Sequence, residues 1–192
     1  MQIDNKCYLS ILFFCIAVST DVKSEPSITE QYRYYSVVGS TPQLIRQSMN
    51  AQRRGHVKGG YDAYVSWFLN WHFSYDDDLR GCRITTVASD INVSYTLPLW
   101  ADREQASSQT KVHWKKYYDA LLAHEYGHRD WGVRAAQSIE QKLLAMDYER
   151  DCLVLRMKAQ RVASRVLANY LRQENRYDRD TRHGATQGAA FP

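Results

Sequence analysis

From Val65 to Tyr75 the chain sets an apolar or aromatic side chain at every second position, through Val65, Trp67, Leu69, Trp71, Phe73 and Tyr75, with mostly polar residues between. Period two at this length predicts a strand with one buried face. The segment Asp76, Asp77, Asp78, Leu79, Arg80, Gly81 supplies turn residues, and Cys82 to Leu97 resumes a β-rich stretch before Pro98. Two strands joined by a short turn form an antiparallel hairpin. The three aspartates lack the alternating ligand spacing and closing glutamate of a calcium loop, so they belong to a solvated turn. Upstream, Tyr32, Tyr34, Tyr35, Val37 and Val38 end at Gly39 and predict a first strand. Thr41 as N-cap and Pro42 in the first helical position then open a short amphipathic helix. It carries Leu44, Ile45, Ser48 and Met49 on one side and stops at Gly55.

After Trp100 the period changes. No proline interrupts Lys111 to Asn175, and Trp114, Tyr117, Leu121, His124 and His128 recur at helical spacing. Ile139, Leu143, Met146 and then Leu153, Met157, Val162, Val166 and Tyr170 continue it, so the second half is a set of long helices. The expected fold is α+β: one domain over residues 20–192, with a small antiparallel sheet from the N-terminal half packed on long helices from the C-terminal half. The tail from Arg176 to Pro192, with Gly184, Gly188, Ala189 and Ala190, reads as a frayed end on composition alone.

The N-terminus changes this picture by adding a destination. Lys6 precedes an apolar run from Cys7 to Val18, with small residues at Ala17 and Ser19. That order is a secretory signal peptide over residues 1–19, outside the fold. The run falls short of the roughly 20 apolar residues of a membrane span, so no stable span is expected once it is removed. A formal charge of +4, from 25 basic against 21 acidic residues spread along the chain, concentrates no phosphate-binding face, and no nucleic-acid partner is implied. Removing the signal leaves two of four cysteines, Cys82 and Cys152. An even pair in an exported chain reads as one disulfide, and closing a loop of this length is worth about 4 kcal/mol on the chain-entropy model.

His124, Glu125, Tyr126, Gly127 and His128 carry the candidate chemistry. Histidines four apart lie one turn above each other on one helix face, so two imidazoles can approach one zinc ion at about 2.0–2.1 Å. Glu125, beside the first histidine, is placed to take a proton from a metal-activated water and return it to a leaving amine. Gly127 in mid-helix costs about 0.8–1.0 kcal/mol relative to Ala, a cost that makes sense if something must approach the backbone there.

A catalytic zinc usually has three protein ligands, so the motif lacks one. An extended pattern with a glycine and a third histidine downstream is excluded, because Trp131 and Arg134 occupy those positions. Glu140 and Glu149 are candidates on a following helix. On one unbroken helix, however, Glu140 would stand about 18 Å from His128 and would need a reversal near Gly132. His113 fails by the same distance. His183 follows the last long helix, where the chain could fold back across the site.

The chain resembles a bacterial family of predicted secreted zinc-dependent proteases, first catalogued as a domain of unknown function. The resemblance spans the early Tyr-rich strand, the Trp-rich strand, Cys82, Leu97-Pro98-Leu99-Trp100, the His124–His128 helix, Cys152, and the closing Tyr177-Asp178 with Thr181, His183 and Gly184. It implies that the tail belongs to the site. His183 becomes the third metal ligand, Asp178 either orients a ligand or replaces one, and Tyr177 donates to an oxyanion.

The expected function is that of a zinc metallopeptidase, secreted or periplasmic, hydrolysing amide bonds in a peptide, a protein or cell-wall peptide stems, with Glu125 as general base. The rivals are a zinc amidase acting on cell-wall peptide stems and a non-catalytic envelope binding module in which metal is structural or absent.

Overall fold

The computed structural model describes residues 25–56 and 61–192; residues 1–19, expected to form a signal peptide, lie outside the described residues. The elements run β1 (Ser27–Val37), α1 (Pro42–His56), β2 (Tyr64–Asp78), β3 (Gly81–Trp100), α2 (Ser108–Leu144) and α3 (Cys152–Thr181), with short 3-10 turns at Arg103–Gln105 and Ala185–Gln187. The architecture is α+β, and the strand order is β1-β3-β2.

The sheet is mixed, which corrects the antiparallel expectation. β2 and β3 form the predicted hairpin, with Asp78 opposite Gly81 and only Leu79 and Arg80 between them. β1 instead pairs with β3 in parallel, from Ser27 opposite Asp90 to Val37 opposite Trp100. The hairpin turn fixes β3 against β2 and nothing else. A helix and its link, rather than a turn, separate β1 from β2, so β3 returns through the middle of the sheet in the direction of β1. The aspartates divide accordingly: Asp76 and Asp77 extend β2, and Asp78 Oδ1 accepts from the Arg80 amide at 2.7 Å to hold the turn.

Helix α2 has 37 residues, about 55 Å at 1.5 Å per residue. Ser107 caps its start by accepting from the Thr110 amide at 3.2 Å. Trp114, Tyr117, Leu121, His124, His128, Gly132, Ala135, Ile139 and Leu143 are buried along it at steps of three and four. The motif histidines therefore sit on the stripe that faces the core. Gly132 is where Trp67 of β2 lies on the helix: a Cβ there would come 2.9 Å from the indole. It is a packing position, not a reversal. Residues 145–151 turn the chain, and α3 starts behind Asp151, whose Oδ1 accepts from Leu153 N at 2.7 Å and Val154 N at 3.1 Å.

The Cys82–Cys152 disulfide ties the hairpin to the start of α3, with Cα atoms 5.2 Å apart. Backbone hydrogen bonds between Cys82 and Glu149 brace the same corner at 2.7 and 3.0 Å. The tail does not fray. Phe191 is buried against Trp114 and Tyr117, ring centroids 5.4 and 5.0 Å away, and Arg46 donates to its carbonyl at 3.0 Å. Among the described residues no helix is long and apolar enough to cross a membrane.

Candidate functional site

The reversal between α2 and α3 sets Glu174 and Asp178, one turn apart on α3, opposite His124 and His128, one turn apart on α2. Asp178 Oδ1 lies 3.2 Å from His124 Nε2 and 3.0 Å from His128 Nε2, and the two Nε2 atoms are 3.3 Å apart. Three ligand atoms thus converge on one point, and the group could hold a metal ion.

The other ring nitrogens show that both imidazoles are aimed. His124 Nδ1 is 2.9 Å from Gln187 Oε1, an oxygen that can only accept, so Nδ1 carries the hydrogen and Nε2 faces Asp178. The Gln187 amide donates to the Tyr177 hydroxyl at 3.2 Å, which donates to the His124 carbonyl at 3.3 Å. Tyr177 also stacks on the His124 ring, centroids 5.0 Å apart. His128 Nδ1 donates to Glu174 Oε1 at 3.1 Å, and the same oxygen accepts from the Trp67 indole at 2.9 Å. Locking Nδ1 in this way is how metal-binding histidines are oriented.

Three carboxyl groups surround these two rings. Burial pushes the Asp178 carboxyl up, but hydrogen bonds from His124 and His128 outweigh it and hold Asp178 well below the usual range. Burial disfavours charge on His128, yet its bonds to Asp178 and Glu174 prevail and raise it to about 10. The cluster draws positive charge to the point between the rings. Glu125 differs from the other two carboxyls: it is 4% exposed, has no hydrogen-bond partner among the described residues, and burial lifts it to about 7 against the lowering charges of His128 and His124.

Gly127 explains itself here. A Cβ would fall 2.3 Å from the Tyr177 hydroxyl, so the glycine admits the ring that steadies His124. Gly184 does likewise at the tail: its φ is +81°, and a Cβ would meet the His124 ring at 2.9 Å. His183 is at the rim. Its Nδ1 lies 3.3 Å from Asp178 Oδ1, its ring stacks on Tyr61 at 4.0 Å, and its side chain is 38% exposed. The compact three-donor group contains Asp178, and His183 contacts it through that carboxylate. Glu140 does not reach the site; it is buried on the unbroken α2 against Ser89, and burial raises its carboxyl. Glu149 pairs with Lys158 at the disulfide corner.

His124, Glu125, His128, Glu174 and Asp178 open into a cleft of about 340 Å³. Its other walls include Tyr61, Asp62 and Tyr64 at the start of β2, Arg53 of α1, and Arg182 and His183 behind α3. Asp62 anchors the far wall. It accepts from Arg46 at 2.8 and 2.9 Å, from Arg53 at 2.9 Å and from Tyr117 at 2.8 Å.

Glu174 and Gln187 were not singled out from the sequence. Glu174 stands four residues before Asp178 on a helix, and that spacing would have flagged it once Asp178 was a candidate. Nothing in the spacing marks Gln187, which reaches His124 only because three successive left-handed residues, Arg182, His183 and Gly184, swing the tail back.

The fold and cluster define an α+β protein with a buried histidine-histidine-aspartate group that could hold a metal ion. Residues 32–184 match a family described as bacterial protein of unknown function (DUF922), and the chain belongs to that family. No curated protein and no solved structure matches it.

Proposed function

We propose that this protein is a zinc-dependent hydrolase of amide bonds, a metallopeptidase, with His124, His128 and Asp178 as its metal ligands. The observation that carries the reading is the spacing of their donor atoms. On a tetrahedral centre with ligands at 2.0–2.1 Å, donors stand about 3.3 Å apart; here they stand 3.0, 3.2 and 3.3 Å apart. Two imidazole nitrogens and one carboxylate oxygen are also the donor set of catalytic zinc sites that keep a position open. The resemblance named His183 as third ligand; the geometry favours Asp178, with His183 holding that carboxylate from the rim.

Zinc held by His124, His128 and Asp178 would supply a Lewis acid to polarise a carbonyl and ease deprotonation of water. The chain supplies the proton handling. Glu125, near neutral pKa and free of competing hydrogen bonds among the described residues, can accept a proton on one carboxylate oxygen and deliver it to the nitrogen of the departing amine. Tyr177 was expected to donate to an oxyanion, but its hydroxyl is committed to the His124 carbonyl and Gln187, and we assign it to holding His124 in place. The signal pattern, the disulfide and the bacterial family support a site of action outside the cytoplasm.

Hydrolysis of a mixed peptide substrate by zinc-loaded protein, with and without chelator, tests the reading. The expected result is cleavage that chelator stops and zinc restores, and that Glu125→Gln abolishes while retaining its zinc. Zinc retention with full biological activity in Glu125→Gln would favour the envelope binding module. Cleavage confined to non-peptide amides would favour the amidase.

A further inference from the structure

We propose that Arg182 recognises a carboxylate on the substrate close to the scissile bond, an inference that rests on the hydrolase reading above. Most charged groups lining the cleft are already committed. Arg53 is bound to Asp62, Glu174 to Trp67 and His128, Asp178 to three histidines, and Glu125 is buried. Arg182 lines the same cleft, and its guanidinium has no hydrogen bond, ion pair or ring contact among the described residues. Among the described residues it is the one lining cation left without a counter-ion.

The backbone gives a second, independent reason. Arg182 ends α3 at φ 51° and His183 follows at φ 52°, both in the left-handed region that disfavours side chains bearing a Cβ. A helix ordinarily stops with glycine in that conformation. Here the glycine is delayed to position 184, and the two strained positions are held by side chains that both face the cleft. Strain of this kind persists where the presented side chain is needed. Position 182 is also one turn beyond Asp178, about 6 Å along the axis. That places a guanidinium within one or two residues of the reacting carbonyl along an extended peptide. A planar fork of donors at such a point matches a carboxylate.

The carboxylate can belong to an acidic side chain or to a free C-terminus, and the experiment separates them. Zinc-loaded Glu125→Gln protein is titrated with fluorescein-labelled peptides in matched pairs: an internal Glu against Gln in an amidated chain, and an all-alanine chain with a free against an amidated C-terminus. In at least one pair the anionic member should bind about tenfold more tightly, a preference that weakens with added salt. Adding Arg182→Gln should bring that pair within about twofold without changing the affinity of the neutral member, and Arg182→Lys should keep part of the preference. A role confined to capping α3 would lower the melting temperature of Arg182→Gln and leave the preference intact. Equal binding of both pairs, no binding of any peptide, or a preference that survives Arg182→Gln overturns the proposal. Failure of the hydrolase reading appears elsewhere, as intact anionic peptide after incubation with zinc-loaded wild-type protein.

Discussion

Asp62 and Asp178 line the same cleft, and both are held below the usual carboxylate range, yet they are opposite kinds of site. The partners of Asp62 are two guanidinium groups and a phenol, donors that stay donors at any physiological pH. They outweigh the burial that pushes Asp62 up, and they leave nothing to add. Asp178 meets two imidazoles, whose Nε2 atoms can shed a proton and present lone pairs. The first cluster is neutralised by the chain itself and bolts α1 to the start of β2 and to α2. The second is neutralised only while a proton, or a cation in its place, sits between the rings. Two carboxylate-centred clusters thus divide by the chemistry of their donors.

The largest effect expected from breaking this contrast is on rate. Glu125→Gln should lower amide hydrolysis by about 10²–10⁴-fold, measured as kcat, with zinc content and melting temperature unchanged. Asp62→Ala should do the reverse. It strands Arg46 and Arg53 as partly buried unpaired cations, and unfolding in urea should show a loss of about 3 kcal/mol with zinc stoichiometry preserved. An equal loss of zinc in this variant would erase the distinction between the clusters.

Glu174→Gln sharpens the comparison. It keeps the shape around His128 but weakens the acceptor for Nδ1, and competition with a chromophoric chelator should show zinc affinity down about 10–100-fold. The smallest effect concerns acid. The Asp62 carboxyl is lowered in the fold relative to an unfolded value near about 3.9. Its contribution is present in full above that value and is lost as pH falls through the lower folded value. Asp62→Asn should therefore differ from wild-type protein in stability at about pH 6, and the difference should shrink as pH falls through the lowered folded value.

Much of the fold was legible because it is written in periodicity. The alternation from Val65 to Phe73 gave β2, Asp78 to Gly81 gave the hairpin, and the stripe from Trp114 to Leu143 gave α2 with its histidines turned inward. The direction of β1 was not legible, since a helix rather than a turn follows it. His124, Glu125 and His128 were visible because their spacing is local to one helix. Asp178 stood among the candidates, and its closeness to both Nε2 atoms depends on where α3 returns, which no local pattern encodes. The Asp62 cluster went unseen for the same reason: Arg46, Arg53, Asp62 and Tyr117 come from separate parts of the chain, and only packing brings them together.

Calorimetric titration of zinc into metal-free protein tests the central claim most directly. One ion should bind per chain, with protons released as His128 gives up its Nε2 hydrogen, and His128→Ala or Asp178→Ala should abolish or severely weaken that binding while Asp62→Asn leaves it intact. A chain that takes up no zinc, or takes it up equally well without His128 and Asp178, would contradict the account.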